Sequence, residues 1–269
     1  MTAATGDPAT PYSFNNDEPT ATDLLGALGQ MLDEFTAARL VRAGVTTGAR
    51  CLEVGAGAGT VAAWLADQVG PTGDVIATDL KPQHIQSHPG VTVLQHNVVT
   101  DPLPGGPFDL IHARAVLQHL PQRESVLAKL AAALAPGGAL IVEELEARWS
   151  TAVLATPDPR AQDIFAAYET AMINVLRGNG NDPTWCRQVH GAMRDIGLLE
   201  VDTEGWQRSW AGGTGVCLLA YSGSTELHDR LIEVGMAADD LQLMRQLVLD
   251  PRLVMRGLLL LSTIGRKPQ

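Results

Sequence analysis

The part of the sequence that most clearly indicates a ligand-binding function is a set of three glycines at alternate positions, Gly55, Gly57 and Gly59. They follow a short apolar run typical of a buried strand and precede a segment with helical spacing. A glycine turn between a strand and a helix is a common nucleotide platform, because its backbone can approach a ligand closely. A dinucleotide fingerprint would have its third glycine at position 60, where Thr60 stands, and no P-loop Gly-Lys-Ser/Thr follows. On its own this spacing is also compatible with a plain turn.

Two acidic residues flank this turn at the ends of predicted strands. Glu53 precedes it and would repel a pyrophosphate while tolerating a cationic ligand. Asp79 ends the next predicted strand, 20 residues beyond Gly59. A carboxylate at that position can accept hydrogen bonds from both hydroxyls of a ribose, although a solvated strand-end acid is the alternative. Together the two acids indicate an adenosyl ligand without phosphates.

The elements that must position these residues alternate along the first half of the chain. The 269 residues suit one large α/β domain, or one domain with a small subdomain. Short apolar strands separated by helices predict a parallel sheet covered on both faces. We expect strands over 50–54, 74–78, 91–95, 108–112 and 139–143, and helices over 22–43, 59–69 and 123–135. Further on, we expect helices over 158–176, 184–196, 216–237 and 239–249, and strands over 199–210 and 253–264.

The composition disfavours several classes of protein. A formal net charge of −11 disfavours binding to nucleic acid, because phosphates would be repelled. The three widely spaced cysteines, Cys51, Cys186 and Cys217, suggest neither a disulfide framework nor a metal site. No run of about 20 apolar residues and no basic, apolar leader is found, so we expect a cytoplasmic protein without membrane contact. The apolar run 253–264 could be a buried strand or part of a homodimer face.

Four ordered motifs carry a resemblance to a known family. They are Cys51-Leu-Glu-Val-Gly-Ala-Gly-Ala-Gly59, Ile76-Ala-Thr-Asp79-Leu80, Phe108-Asp-Leu-Ile-His-Ala-Arg114 with Val116-Leu-Gln-His119-Leu-Pro121, and Leu134-Ala-Pro136-Gly-Gly138. Over residues 40–145 they resemble class I S-adenosylmethionine-dependent methyltransferases, and are similar to small-molecule methyltransferases of bacterial secondary metabolism. The resemblance implies a Rossmann-like α/β fold: a seven-stranded, mostly parallel sheet with helices on both faces, an antiparallel last strand and a helical lid. It also implies an N-terminal segment and lid helix (1–43), a cofactor-binding core (44–146) and a substrate cover with the C-terminal strands (147–269).

The resemblance assigns the cofactor, S-adenosyl-L-methionine, to particular positions. The turn would pass under its methionine and ribose, Asp79 would bind the ribose, and Leu80 would pack on the adenine. Asn97, where many members have an aspartate, would accept from the adenine amino group beside Val98. The backbone of Ala113 would receive the methionine ammonium, with Arg114 nearby as a contact or as a salt-bridge partner. The expected cofactor-binding residues are therefore Glu53, Gly55, Ala56, Gly57, Gly59, Asp79, Leu80, Asn97, Val98, Ala113 and Arg114. The segment from Tyr12 to Asn16 could fold over them.

Methyl transfer from a sulfonium is an in-line displacement with a neutral leaving group, so positioning supplies much of the catalysis. A base is needed only where the acceptor must lose a proton. Glu144, at the end of a predicted strand, is the preferred candidate, with solvation or pairing to Arg148 as the alternative. His119 is the second candidate, and His112 and His190 are weaker ones. No metal is expected.

The acceptor should lie under residues 147–250 and be small and largely apolar. The expected lining residues are Ile164, Phe165, Tyr168, Met172, Trp185, Trp206, Trp210 and Met236. Whether oxygen, nitrogen or carbon is methylated is left open. A protein of this fold that binds the same cofactor but catalyses a cyclisation is the alternative function, and a binding module without turnover is a third.

Overall fold

The computed structural model describes residues 19–269, so Tyr12–Asn16 lies outside the described residues. Eight α-helices are described: α1 (Pro19–Arg42), α2 (Thr60–Val69), α3 (Arg123–Ala132), α4 (Ala161–Gly178), α5 (Val189–Asp195), α6 (Gly215–Glu226), α7 (His228–Glu233) and α8 (Ala238–Leu247). The strands are β1 (Arg50–Val54), β2 (Asp74–Asp79), β3 (Val91–Gln95), β4 (Phe108–Arg114), β5 (Leu134–Glu146), β6 (Val153–Ala155), β7 (Leu199–Trp206), β8 (Ser209–Ala211), β9 (Val254–Arg256) and β10 (Leu259–Arg266).

Seven of these strands form one sheet in the order β3-β2-β1-β4-β5-β10-β7. Strands β1 to β5 are mutually parallel, and β10, the last strand, runs antiparallel to both of its neighbours. The predicted seven-stranded Rossmann-like sheet with an antiparallel last strand is therefore confirmed. Because the strands are parallel, the carboxyl ends of β1, β2, β4 and β5 meet at one edge, where ligands of such sheets bind.

Both faces of this sheet are covered, as the near-continuous apolar strands require. On one face, Cys51, Val75 and Ile141 pack with residues of α1 and α2. On the other, Leu52 and Val142 pack with residues of α3 and α5. Alternate residues of each strand thus belong to different cores, and this alternation also decides which way the polar residues at the strand ends point.

A third apolar cluster lies beyond the carboxyl edge of the sheet. It is built from α4, α6, α7 and α8, from the α1 residues Met31, Leu32 and Phe35, and from a three-stranded antiparallel sheet, β6-β9-β8. Among residues 19–269, none of the helices combines the length and apolar composition that crossing a membrane requires.

Several elements in the second half are shorter than predicted. The expected helix over 216–237 is divided into α6 and α7, and the expected strand over 199–210 into β7 and β8. The apolar run 253–264 is divided into β9 and β10, since the chain leaves the small sheet at Gly257, whose N–H donates to the Arg208 carbonyl at 2.7 Å. Apolar composition alone does not show where a chain moves from one sheet to another.

Candidate functional site

The glycine turn connects β1 to α2 with left-handed backbone at all three glycines. Gly55, Gly57 and Gly59 have φ of +67°, +56° and +83°. The N–H groups of Gly55 and Ala56 donate to the Thr78 carbonyl at 2.8 and 3.0 Å, which fixes the turn against β2. A Cβ at Gly55 would lie 2.4 Å from Cγ2 of Val116, in the segment after β4. Gly55 is therefore required both by its φ and by the close approach of that segment.

Asp79 ends β2 directly beside this turn. Its carboxylate accepts from the N–H of Gly57 at 3.0 Å and from the N–H of Lys81 at 2.9 Å. An ionised carboxylate has about four acceptor sites, so it can bind further donors. Leu80, the next residue, has 49% of its surface exposed, which leaves an apolar surface beside the carboxylate. Both features suit the predicted binding of a ribose and an adenine.

The segment after β3 places Asn97 in a local turn. Its side-chain oxygen accepts from the N–H of Val99 at 3.0 Å, and its own N–H donates to the Asp101 carboxylate at 2.8 Å. Val98 is buried in the core. The Asn97 oxygen retains one lone pair for the predicted contact to an adenine amino group.

Arg114, at the end of β4, reaches helix α1. Its guanidinium donates to the Thr36 hydroxyl at 2.9 Å and to the Asp33 carboxylate at 2.8 Å. Ala113 is fully buried before it. Arg114 was expected to be a cofactor contact or a salt-bridge partner, and the structure places it in a salt bridge. This salt bridge attaches α1 to the carboxyl edge of the sheet.

A buried ion cluster lies beneath this edge on the α1 face. Nδ1 of His112 lies 2.7 Å from Oε2 of Glu53, and Nε2 lies 3.4 Å from Oε2 of Glu143. The Thr36 hydroxyl donates to that same Glu143 oxygen at 2.6 Å. Burial opposes the charged ring, but the charges and hydrogen bonds of both carboxylates outweigh it and raise the pKa of His112 to about 9. At neutral pH the ring is therefore an imidazolium.

The sequence pattern favours Glu144 and does not single out Glu143, which is completely buried in this cluster. Burial alone would raise its pKa, but the hydrogen bond and charge of His112 and the charge of Arg114 lower it. The sequence does contain a signal for this cluster. Three polar residues on neighbouring strands, Glu53, His112 and Glu143, stand at positions whose side chains point to the same face of the sheet.

Glu144 points to the opposite face of β5. Its Oε1 accepts from the N–H of Gln118 at 3.1 Å, and within residues 19–269 its Oε2 has no hydrogen-bond partner. Burial raises the pKa of Glu144 to about 8, and the backbone N–H groups of the segment after β4 only partly offset this. The suggested pairing with Arg148 is wrong, because Arg148 binds Glu146 at 2.9 Å. Glu144 therefore tethers the segment that carries His119.

A cavity of about 780 Å³, including its open mouth, lies next to that segment. Its walls are mainly apolar, and among the described lining residues none is an aspartate, glutamate, lysine or arginine. The described lining comprises Leu28, Ala115, Gln118, His119, Leu145, Ala147, Trp149, Tyr168, Met172, Leu176, Asn181, Pro183, Leu219, Gly223 and Leu258. Asn181 lies 2.9 Å from Nδ1 of His119, and burial lowers the pKa of His119 to about 4. His119 is therefore neutral at physiological pH, and Glu144 is not among the described lining residues.

Two of the eight residues predicted to line the acceptor site, Tyr168 and Met172, do so. Ile164, Phe165 and Met236 belong to the buried cluster behind them. Three tryptophans lie elsewhere: Trp185 in the core under the sheet, Trp206 stacked on Phe35 and Trp210 under the Arg208 guanidinium. His190 bonds the Thr203 hydroxyl at 2.9 Å in an exposed position and is likewise absent from the described cavity lining.

Comparison with known proteins is consistent with this geometry. The methyltransferase domain family matches residues 29–194 of the chain. Methyltransferase str2 of Strobilurus tenacellus is 33% identical over 154 residues, which are 56% of this chain and 54% of that protein. The ubiquinone/menaquinone biosynthesis C-methyltransferase UbiE of Cupriavidus taiwanensis is 28% identical over 165 residues, 58% of this chain and 64% of that protein. The chain thus matches somewhat more than half the length of these curated relatives.

A solved structure shares the fold over nearly the whole chain. Phosphoethanolamine N-methyltransferase 2 of Haemonchus contortus, in complex with S-adenosyl-L-methionine, superposes with a TM-score of 0.53 at 14% identity, covering 94% of this chain and 59% of that one. At this identity the likeness concerns the fold alone. The family match spans more than half of the chain, and it includes the glycine turn, Asp79 and the segment after β4. The chain therefore belongs to the family of S-adenosylmethionine-dependent methyltransferase domains.

Proposed function

We propose that this protein transfers a methyl group from S-adenosylmethionine to a small, neutral, largely apolar organic acceptor. One observation carries the proposal: the segment after β4 borders both halves of the site. Val116 lies against Gly55 of the glycine turn, while Ala115, Gln118 and His119 line the apolar cavity. A cofactor on the turn and an acceptor in the cavity would therefore meet across a single short segment.

The residues present suit the cofactor. Gly55 lets the turn lie close against Val116 where a Cβ would collide, Asp79 retains acceptor sites for a ribose, and Leu80 offers an exposed apolar surface. When bound, the cofactor supplies a methyl group activated by the sulfonium. The turn with Glu53, Ala56, Gly57 and Gly59, together with Asn97, Val98, Ala113 and Arg114, would complete the pocket.

His119 is the better candidate for a base, because it lines the cavity and is neutral. An acceptor hydroxyl becomes strongly acidic as the methyl group transfers in line, so even an imidazole whose pKa is lowered to about 4 can take its proton. Glu144 instead acts through the backbone that carries His119. The absence of formally charged side chains among the described lining residues supports a neutral acceptor.

We place this reaction in bacterial secondary metabolism on the basis of the sequence resemblance. The name of the Cupriavidus relative, a C-methyltransferase of ubiquinone/menaquinone biosynthesis, supports an organic acceptor by likeness. The division into a lid helix, a cofactor core and a substrate cover is part of the same proposal.

The proposal is tested by incubating the protein with cofactor carrying a labelled methyl group and a panel of host metabolites, followed by mass spectrometry. A gain of one labelled methyl identifies the acceptor and, by fragmentation, the methylated atom. Release of an isomer without methyl gain would contradict methyl transfer and favour cyclisation.

His119→Gln then tests the base, with His190→Gln as the matched control. For an acceptor that loses a proton, His119→Gln should lower kcat by about 100-fold or more while cofactor affinity is retained. His190→Gln should retain kcat. Equal kcat in wild type and His119→Gln would remove His119 from the reaction.

A further inference from the structure

His112 occupies a place that the proposed reaction does not use. It is fully buried, and it is not among the described residues that line the acceptor cavity. Its ring nevertheless joins the ends of three strands, because it lies on β4 between Glu53 of β1 and Glu143 of β5. Glu53 lies two residues before Gly55 of the glycine turn, so the ring is linked to the proposed cofactor site through one side chain.

The contacts continue from Glu143 to helix α1. Thr36 donates to Glu143, and Arg114 donates both to Thr36 and to Asp33. The charged groups around the ring are therefore Glu53 and Glu143, which contact it, and Arg114 and Asp33, which lie further along the same chain of contacts. Two carboxylates face a single imidazole directly.

The protonation of the ring decides how many of these contacts can be hydrogen bonds. An imidazolium has two N–H donors, so it can hydrogen-bond Glu53 at 2.7 Å while its second N–H and its charge face Glu143 at 3.4 Å. A neutral ring has one N–H and no charge, so the two buried carboxylates would face each other across an uncharged ring, with Glu143 keeping only the Thr36 hydroxyl among these contacts as a donor. A buried, unpaired carboxylate is costly and moves or takes up a proton.

We propose that His112, as an imidazolium, is a positioning residue for the cofactor, holding Glu53 beside the glycine turn and, through Glu143 and Thr36, helix α1 against the sheet edge. Loss of the charge releases one of the two carboxylates and loosens the turn or the helix. The raised pKa of His112, about 9, agrees with a ring that remains charged throughout the physiological range. This inference rests on the proposed cofactor site.

The first test is calorimetric titration with S-adenosylhomocysteine, which withstands alkaline pH, on wild type and His112→Gln between pH 7 and 10.5. The amino group of the ligand titrates in both proteins, so the ratio of the two affinities isolates His112. We expect about tenfold tighter binding to wild type at pH 7 and a ratio that approaches one above pH 10. An affinity ratio of one throughout would overturn the inference, even if His112→Gln were less stable.

The second test needs no variant and therefore survives a misfolded His112→Gln. By linkage, a tenfold preference of the cofactor for the charged ring raises the His112 titration midpoint by about one pH unit on binding. NMR of ring-labelled wild type with and without saturating S-adenosylhomocysteine measures this shift. An unchanged or lower midpoint would overturn the inference.

A third measurement separates the helix contact from the ring. Thr36→Val removes the hydroxyl between Glu143 and Arg114 at nearly constant volume, and it should weaken binding of S-adenosylhomocysteine several-fold. Thr170→Val is the matched control, because Thr170 is exposed and, among residues 19–269, its hydroxyl bonds to its own helix at Ala166. Equal affinities in the two variants would exclude the link to α1. Failure of wild type to bind S-adenosylhomocysteine at all would instead refute the proposed function.

Discussion

Replacing Gly55 by alanine tests the glycine turn with a single methyl group. The new residue would have to adopt a φ of +67°, and its Cβ would lie 2.4 Å from Cγ2 of Val116. A left-handed L-residue costs about 1–2 kcal/mol. Overpacking adds about 1–3 kcal/mol, because Val116 is short and branched and must move with its backbone. Gly55→Ala should therefore destabilise the fold by about 2–5 kcal/mol.

Gly197→Ala is the matched control for the backbone contribution. Gly197 has a φ of +85°, and a Cβ there would meet nothing within 4 Å. It should cost only the ~1–2 kcal/mol of left-handed strain. The difference between the two variants in urea unfolding then measures the contact with Val116.

Cofactor binding supplies the second readout for this pair. Displacing Val116 moves the segment that we propose contacts the methionine part of the cofactor, so Gly55→Ala should weaken binding of S-adenosylhomocysteine at least tenfold, which corresponds to about 1.4 kcal/mol. Gly197→Ala should bind as wild type does. The reasoning is refuted if folded Gly55→Ala retains wild-type affinity, since the turn and the segment after β4 would then not share a ligand.

Three further predictions concern ionisable groups. Asp79→Ala should weaken S-adenosylhomocysteine binding tenfold or more through the loss of two ribose hydrogen bonds, and unchanged affinity in calorimetry would remove Asp79 from the site. Because burial raises the pKa of Glu144 from 4.5 to about 8, its folded form favours the proton, and wild type should lose stability relative to Glu144→Gln as pH rises from 4.5 to 8. Urea unfolding at pH 5 and pH 8 measures this, and a constant difference would show that Glu144 does not titrate abnormally. The raised pKa of His112 stabilises the fold fully below pH 6.5, and this contribution, about 3 kcal/mol at most, is lost as pH rises through about 9. Parallel stability profiles of wild type and His112→Gln from pH 6 to 10 would contradict it.

The cofactor half of the fold could be predicted closely because its signals are local. Strands β1 and β3 begin and end where the apolar pattern predicts, at 50–54 and 91–95. The turn between β1 and α2 is determined by glycines that the backbone requires. The order of motifs then determines the order of strands, since right-handed crossovers leave few alternatives.

The sequence pattern could not predict which face of the sheet each of the two carboxylates of β5 would occupy. Alternation shows that Glu143 and Glu144 face opposite ways, but β5 is covered on both faces and both carboxylates are completely buried. The two roles differ because of what packs on each face. On the α1 face Glu143 joins the ion cluster, whereas on the other face Glu144 accepts a hydrogen bond from the backbone of the segment after β4.

The sequence pattern also could not predict which residues line the proposed acceptor cavity, for a different reason. Tyr168 and Phe165 are both buried on α4, yet only Tyr168 borders the cavity. Apolar side chains in a wall and in a core have the same pattern, and the difference depends on a void formed by distant segments. Trp185 illustrates this limit of the sequence pattern: it was predicted to line the cavity, but it is buried in the core between the sheet and helices α3 and α5.

The third apolar cluster has a consequence for how this protein can change over generations. The cavity walls from α4 and α6 belong to that cluster, whereas the turn and Asp79 rest on the two cores of the sheet. Substitutions in the walls from α4 and α6 should therefore disturb the glycine turn less than substitutions in the segment after β4, since sites that pack separately are nearly additive in free energy. If the cavity takes the acceptor as proposed, such a partition would let a lineage exchange one acceptor for another while it inherits the methyl donor unchanged.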